Sequence, residues 1–156
     1  NMNIGTRGWF TLLELIVSIT IAGILFAVII SGFSGQRDLT SLNLAVDDSM
    51  AFLQKARART LSSQDAARYG VHFETSKFVL FTGDTYNAAD PTNNVRTLSA
   101  AVEISAIALT GGAVNIVFKR LTGETDVSGT VTFRIASTPT ITRVIRIEPT
   151  GLAFIQ

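Results

Sequence analysis

Residues 10–33 read FTLLELIVSITIAGILFAVIISGF, twenty-four residues in which Glu14 is the single charge. As an α-helix at about 1.5 Å per residue the run is roughly 36 Å long, enough to cross a hydrocarbon core of about 30 Å. A helix apolar on every face has no place in a globular domain of this size, and the scattered Gly, Ser and Thr are tolerated better in lipid than in water. The run therefore reads as a membrane segment. Glu14 is its anomaly. An ionisable group deep in a bilayer costs on the order of 3 kcal/mol on insertion scales, less near an edge, so it is retained for a partner. No counter-charge lies within the run.

Residues 1–8 are short and polar with one cation, Arg7. By the positive-inside rule this end stays cytoplasmic and the rest of the chain is sent outward. Translation is expected to start at Met2, after a stray Asn1. An ordinary secretory signal peptide, cut near Ser31-Gly32-Phe33-Ser34-Gly35, is the alternative. Against it, the apolar run exceeds the usual span of about 7–15 residues and lacks an A-x-A site.

Gly8 followed by Phe10-Thr11-Leu12-Leu13-Glu14-Leu15-Ile16-Val17 resembles the leader junction of type IV prepilins and type II secretion pseudopilins. The resemblance implies a membrane-inserted, non-catalytic filament subunit. A prepilin peptidase would cut the leader, residues 1–9, and methylate the new terminus, and Glu14 would pair with the terminal amine of a neighbouring subunit. It also implies an inner-membrane assembly platform, other pilin or pseudopilin subunits and membrane lipid as partners, with no cofactor. The location implied is a single pass through the inner membrane with the domain outside, then a periplasmic or cell-surface filament. The chain departs from the pattern at one place. With Phe10 first, Glu14 is fifth as the family requires, but Trp9 stands where the glycine should be. Cutting after Gly8 makes Trp9 first and Glu14 sixth, so cleavage after Gly8 or Trp9, and methylation of Trp9 or Phe10, both stand.

Beyond residue 35 the composition turns polar while a helical period continues through Leu39, Leu42, Val46, Met50, Leu53 and Ala56. One long helix is predicted to about Leu61: a membrane or filament-core half, residues 10–35, and an amphipathic half, residues 39–61. Gly32 and Gly35 mark the change, either as a point where the helix loosens or as part of a small-residue packing face with Ser31. At Ser62-Ser63-Gln64-Asp65 the period changes to two. Tyr69, Val71 and Phe73 alternate with Gly70, His72 and Glu74, and Thr75-Ser76 leads into Lys77-Phe78-Val79-Leu80-Phe81-Thr82, a predicted hairpin. Further strands are predicted within residues 96–109, 113–119 (Val114, Ile116 and Phe118 on one face), 130–136, 143–148 and 152–155. The expected class is α+β: one long N-terminal helix packed on six or seven antiparallel strands, residues 36–156 forming one pilin-like domain. Lys55-Ala56-Arg57-Ala58, Tyr69-Gly70-Val71 and Ile147-Glu148-Pro149-Thr150-Gly151 are similar to the minor pseudopilin H group of type II secretion and to related minor pilins.

Chemistry is sparse. The chain has no cysteine and one histidine, His72, which reads as a solvated imidazole on an outward strand face. No G-x-S-x-G, Walker A or G-x-G-x-x-G sequence is present, and a net charge of +1 with scattered signs offers no nucleic-acid footprint. The loop 83–94 is rich in oxygen donors, which makes Asp84, Asn87 and Asp90 weak calcium candidates, although the same residues build ordinary turns. Lys55, Arg57 and Arg59 read as a solvated or capping set at the helix end. The rival to a filament subunit is a membrane-anchored minor pilin that binds DNA or a surface. The resemblance implies that a DNA-binding minor pilin would use arginines near the carboxy terminus; none follows Gly151, which disfavours DNA, although Arg143 and Arg146 remain candidates.

Overall fold

The computed structural model describes residues 11–156, excepting the side chains of residues 29–34. Helix α1 (Leu12–Leu61) begins at Thr11, whose hydroxyl accepts the Glu14 N–H at 3.2 Å and whose carbonyl accepts the Leu15 N–H at 3.1 Å. A threonine cap of this kind satisfies one of the amide donors that a helix start leaves free. The helix stops after Leu61 where Ser63 turns left-handed, with φ 52°. The chain divides into two units that meet between Arg37 and Asp38.

In the second unit α1 buries one stripe: Leu42, Ala45, Val46, Ser49, Leu53, Ala56 and Thr60. Spacings of three and four place these on one helix face. Met50 is only half-buried and Leu39 is 37% exposed, so the stripe lies slightly off the predicted one, with Ala45, Ser49 and Thr60 in it. Eight strands follow: β1 (Tyr69–Glu74), β2 (Lys77–Thr82), β3 (Asn94–Thr97), β4 (Val102–Leu109), β5 (Asn115–Val117), β6 (Gly129–Ile135), β7 (Thr142–Ile147) and β8 (Ala153–Ile155). They form two four-stranded antiparallel sheets, ordered β3-β2-β1-β5 and β4-β6-β7-β8. The stretch 96–109, expected to hold strand, splits between the two sheets, which raises the strand number above six or seven.

The helix stripe, Val71, Phe73, Phe78, Leu80, Ile116 and Phe118 of the first sheet, and Val131, Phe133, Ile135, Ile145 and Ile147 of the second join in one core. Val114 stands apart from Ile116 and Phe118, at 40% exposure. The first sheet is also covered on its outer face. Val79 and Phe81 are buried there, and Tyr86 from the loop after β2 packs on Phe81 with ring centroids 5.6 Å apart. Gly70 faces Phe81 across the strand pair, and a β-carbon at Gly70 would lie 2.6 Å from both the Phe81 ring and the Ile116 carbonyl oxygen. Glycine here is a space requirement: the phenyl ring occupies what a side chain would fill.

Candidate assembly surface

From Leu12 to Val28 every described side chain of α1 is exposed, including eleven large apolar ones. Leu12, Leu13, Phe26 and Val28 are 65–75% exposed. They lie all round the helix, so no single face remains for water. Thr20 returns its hydroxyl to the Ile16 carbonyl at 2.8 Å, which removes one polar group from the surface. Among the described residues no helix is long and apolar enough to cross a membrane. The predicted span 10–33 includes Phe10 and the side chains of 29–34, which lie outside them.

Glu14 sits in the first turn, three residues beyond the Thr11 cap. Its carboxylate forms no ion pair among the described residues and lies where the partial positive charge of the helix start favours an anion. Thr11-Leu12-Leu13-Glu14 matches the capping pattern S/T-x-x-E, a sequence signal for this helix start that the apolar run obscured. Gly8, Trp9 and Phe10, the predicted cleavage and methylation residues, lie outside the described residues.

The three candidate calcium residues of the loop after β2 already have partners within the chain. Asp84 pairs with Arg68 at 3.3 Å, Asn87 Oδ1 accepts the Ala89 N–H, and Asp90 Oδ1 accepts the amide and hydroxyl of Thr92. The two bonds from Thr92 hold the Asp90 carboxyl below its ordinary range. No group of three or more His, Cys, Asp or Glu is placed to hold a metal among the described residues.

His72 corrects its sequence reading. It lies on the outer sheet face as expected, but its side chain is only 12% exposed. Tyr86 stacks on the imidazole with centroids 3.9 Å apart and planes 13° from parallel. Nδ1 faces Asn115 Oδ1 at 2.5 Å and Nε2 faces Glu74 Oε1 at 3.2 Å. The alternation placed the strand face correctly; the loop that covers it left no periodic trace.

The basic set at the helix end is also not simply solvated. Lys55 is exposed, but Arg57 donates from Nε to the Gly123 carbonyl at 3.0 Å, and Arg59 lies over the Tyr69 ring at 5.5 Å. Tyr69 in turn donates its hydroxyl to Asp65 at 2.9 Å. Burial, then the hydrogen bond and charge of Asp65, push the Tyr69 phenol above its usual 10.0, with Arg59 pulling the other way. Arg146 pairs with Glu148, while Arg143 donates to the Thr142 carbonyl and forms no ion pair among the described residues.

No family model matches the chain, and no curated relative matches it. Two crystal forms of the type IV minor pilin FimU of Pseudomonas aeruginosa are similar in structure. One superposes with a TM-score of 0.59 at 14% identity, covering 75% of this chain and 89% of FimU. The other gives 0.57 at 14% identity, with 74% and 92% covered. At that identity the likeness concerns the backbone: the chain has the pilin fold, a helix packed on antiparallel sheets.

Proposed function

We propose that the chain is a structural subunit of a type IV pilus or type II secretion filament, of the minor pseudopilin H or related minor-pilin kind. Before assembly it is held in the inner membrane by residues 10–33, with the amino terminus cytoplasmic and the β domain outside. A prepilin peptidase cuts at Gly8-Trp9 or Trp9-Phe10 and methylates the new terminus. The assembly platform then moves the helix from lipid into a filament core, where Glu14 pairs with the terminal amine of a neighbouring subunit. The observation that carries this reading is an all-round apolar, exposed helix preceding a domain of pilin fold that already has its own closed core.

The test is Glu14→Val as sole copy in cells, comparing the membrane-bound pool with sheared filaments or secretion. The Glu14 N–H that Thr11 caps belongs to the backbone and survives the substitution, so the helix start is preserved. Insertion becomes easier without the carboxylate. Assembly is expected to fall sharply, because the partner amine loses its counter-charge in the bundle, and one buried unpaired charge costs about 3–5 kcal/mol. Normal assembly overturns the pairing. Loss of both pools assigns Glu14 to insertion instead. Mass spectrometry of the mature amino terminus tests processing: a chain cut beyond Gly32 indicates a signal peptide, and an uncut chain a permanent anchor.

A further inference from the structure

A sheet edge is an open row of backbone donors and acceptors, and folded proteins guard such rows with charge, proline or a bulge. Here β3, β4, β5 and β8 are the edges of the two sheets. β3 carries Arg96, paired with Asp48; β4 carries Glu103, paired with Arg134, and a bulge between Ile104 and Ala106. Beside β5 stand the ion pairs of Arg68 with Asp84 and of Lys119 with Asp126, which line one hollow with Asn115 and Val117. The residues of β8 supply no guard of these kinds. Residues 151–156 read GLAFIQ, without charge or proline, and Leu152, Phe154 and Ile155 are 42–55% exposed.

The ladder fixes which groups of β8 are open. The Leu152 carbonyl accepts the Glu148 N–H at 2.9 Å and the Gln156 N–H reaches the Val144 carbonyl at 2.9 Å, so the backbone groups of residues 152, 154 and 156 face β7. The N–H and C=O groups of Ala153 and Ile155 point the other way and have no partner among the described residues. Ala153 and Ile155 lie opposite the buried Ile147 and Ile145, so their side chains are on the core side of the sheet. There a hollow of about 170 Å³ separates the start of β8 from α1, with Leu53, Arg57, Ala58, Leu61, Leu152 and Ala153 in its lining. Its one charge is Arg57. This side chain is half-buried with Nε fixed on the Gly123 carbonyl; its terminal nitrogens make no hydrogen bond and it forms no ion pair among the described residues. Glu124, next to Gly123, is exposed, lies outside the lining and is not paired with Arg57.

We propose that β8 accepts an extended strand of a different protein, with apolar residues alternating along it and an aspartate or glutamate reaching Arg57. Strand addition satisfies the open groups of Ala153 and Ile155, and the added strand turns alternate side chains to the core side, toward the hollow. The carboxylate is selected by charge, because the terminal nitrogens of a held guanidinium present donors that match its two oxygens. The half-buried, apolar surroundings make that pair stronger than one in open water. The hollow falls below the roughly 300–1,000 Å³ of small-molecule sites, so it suits a side chain of a bound strand and not a free ligand or a lipid tail. The side chains of a second copy's β8 bring Arg57 no carboxylate. One copy of the chain completes the contact with one partner strand, so no repeat of this subunit is needed. The inference stands apart from the filament reading: its test reads β8 and Arg57, and neither Glu14 nor the helix core enters it.

The test titrates the isotope-labelled full chain, held in lipid nanodiscs, with a blocked hexapeptide of alternating valine and threonine in which one threonine is replaced by glutamate. The amides of Ala153 and Ile155 are expected to shift and to exchange about tenfold more slowly with peptide bound. The same peptide with glutamine in place of glutamate should bind about tenfold more weakly. In Arg57→Gln the two peptides should bind alike; a surviving preference for glutamate refutes the pairing. A peptide methylated on alternate backbone nitrogens should not bind, which checks strand addition without altering the protein. Ile155→Pro removes an N–H that faces away from β7, so it should abolish binding while the melting temperature holds. Glu124→Gln should leave the preference for glutamate unchanged; a severalfold larger preference makes Glu124 the counter-charge of Arg57 and overturns the assignment. No change at Ala153 and Ile155 with about 1 mM peptide overturns the strand site. Hexanoate that shifts Arg57 without slowing those amides assigns the hollow to a small amphiphilic acid instead, and slowed exchange on concentrating the chain without peptide assigns the edge to a second copy; either result refutes the proposal.

Discussion

Two buried hydroxyls on the same helix stripe should respond to removal with opposite signs. Ser49 and Thr60 both have 0% exposure. Thr60 donates to the Ala56 carbonyl at 2.8 Å and accepts the Tyr69 N–H at 3.0 Å, so it ties the helix end to the start of β1. Its valine replacement keeps the shape and leaves a buried amide donor without an acceptor, a loss of about 1–3 kcal/mol. Ser49 Oγ is buried with no hydrogen-bond partner. Alanine there removes an unsatisfied hydroxyl and improves helix propensity, a gain of about 1 kcal/mol. For a domain of this size about 1 kcal/mol moves the thermal midpoint by roughly 4 °C. Thr60→Val is therefore expected about 8 °C below wild type and Ser49→Ala about 4 °C above it, by calorimetry of the full chain in detergent. Amide exchange adds a local readout. The Tyr69 amide should exchange faster in Thr60→Val and stay protected in Thr60→Ser, which retains the acceptor. If Thr60→Val melts within about 2 °C of wild type, or Ser49→Ala is the more destabilised of the pair, hydroxyl satisfaction does not govern this helix-to-sheet junction.

Gly70→Ala places a methyl 2.6 Å from the Ile116 carbonyl oxygen and the Phe81 ring; a loss of about 1–3 kcal/mol is expected in denaturant unfolding, since the backbone contact cannot yield as the ring can. Gly151→Ala should be worse, because φ is 77° and the new β-carbon would lie 1.8 Å from the Gly123 carbonyl oxygen; soluble yield and melting temperature check it. Stability should fall as pH rises from about 10 through the raised folded value of Tyr69, since the unfolded phenol ionises first; full stability is present below pH 10, and Tyr69→Phe should flatten the alkaline limb of a pH series of melts.

Much of this fold is legible in the sequence because its signals are periodic. Tyr69, Val71 and Phe73 alternate and are buried, and so are Val131, Phe133 and Ile135. The hairpin at Thr75-Ser76 has the expected strand limits at Lys77 and Thr82. What escaped periodicity involves coverage from a distance. Phe78-Val79-Leu80-Phe81 is a continuous apolar run buried on both faces, a sign that something packs outside the sheet, but nothing local identifies Tyr86 as the cover. The break between β3 and β4 at Leu98-Ser99-Ala100-Ala101 carries no Gly or Pro, so one stretch concealed two strands of different sheets. Arg57 and Arg59 looked like solvent-facing charges because their partners, Gly123 and Tyr69, are brought to them by tertiary structure alone.

The two parts of α1 solve different physical problems with one continuous helical sequence. From Leu42 onward the buried apolar residues keep to one stripe, and the core they close begins with Leu42 and includes nothing before it. The domain's cohesion therefore does not draw on residues 12–28. Each of the eleven large apolar side chains exposed there is worth about 1.5–3 kcal/mol when fully covered, and none of that is satisfied inside the chain. Their free energy is left over for whatever surrounds the helix. Lipid and a bundle of like helices are equally apolar, so moving between them changes the hydrophobic term little. What distinguishes the two environments is packing and polar pairing. In the proposed filament, a lone carboxylate that is costly in lipid would be satisfied by an amine in the bundle. An all-apolar version of this helix would have no such preference, and on the proposed reading it is Glu14 that gives the transfer its direction, while the core of the domain is built without it.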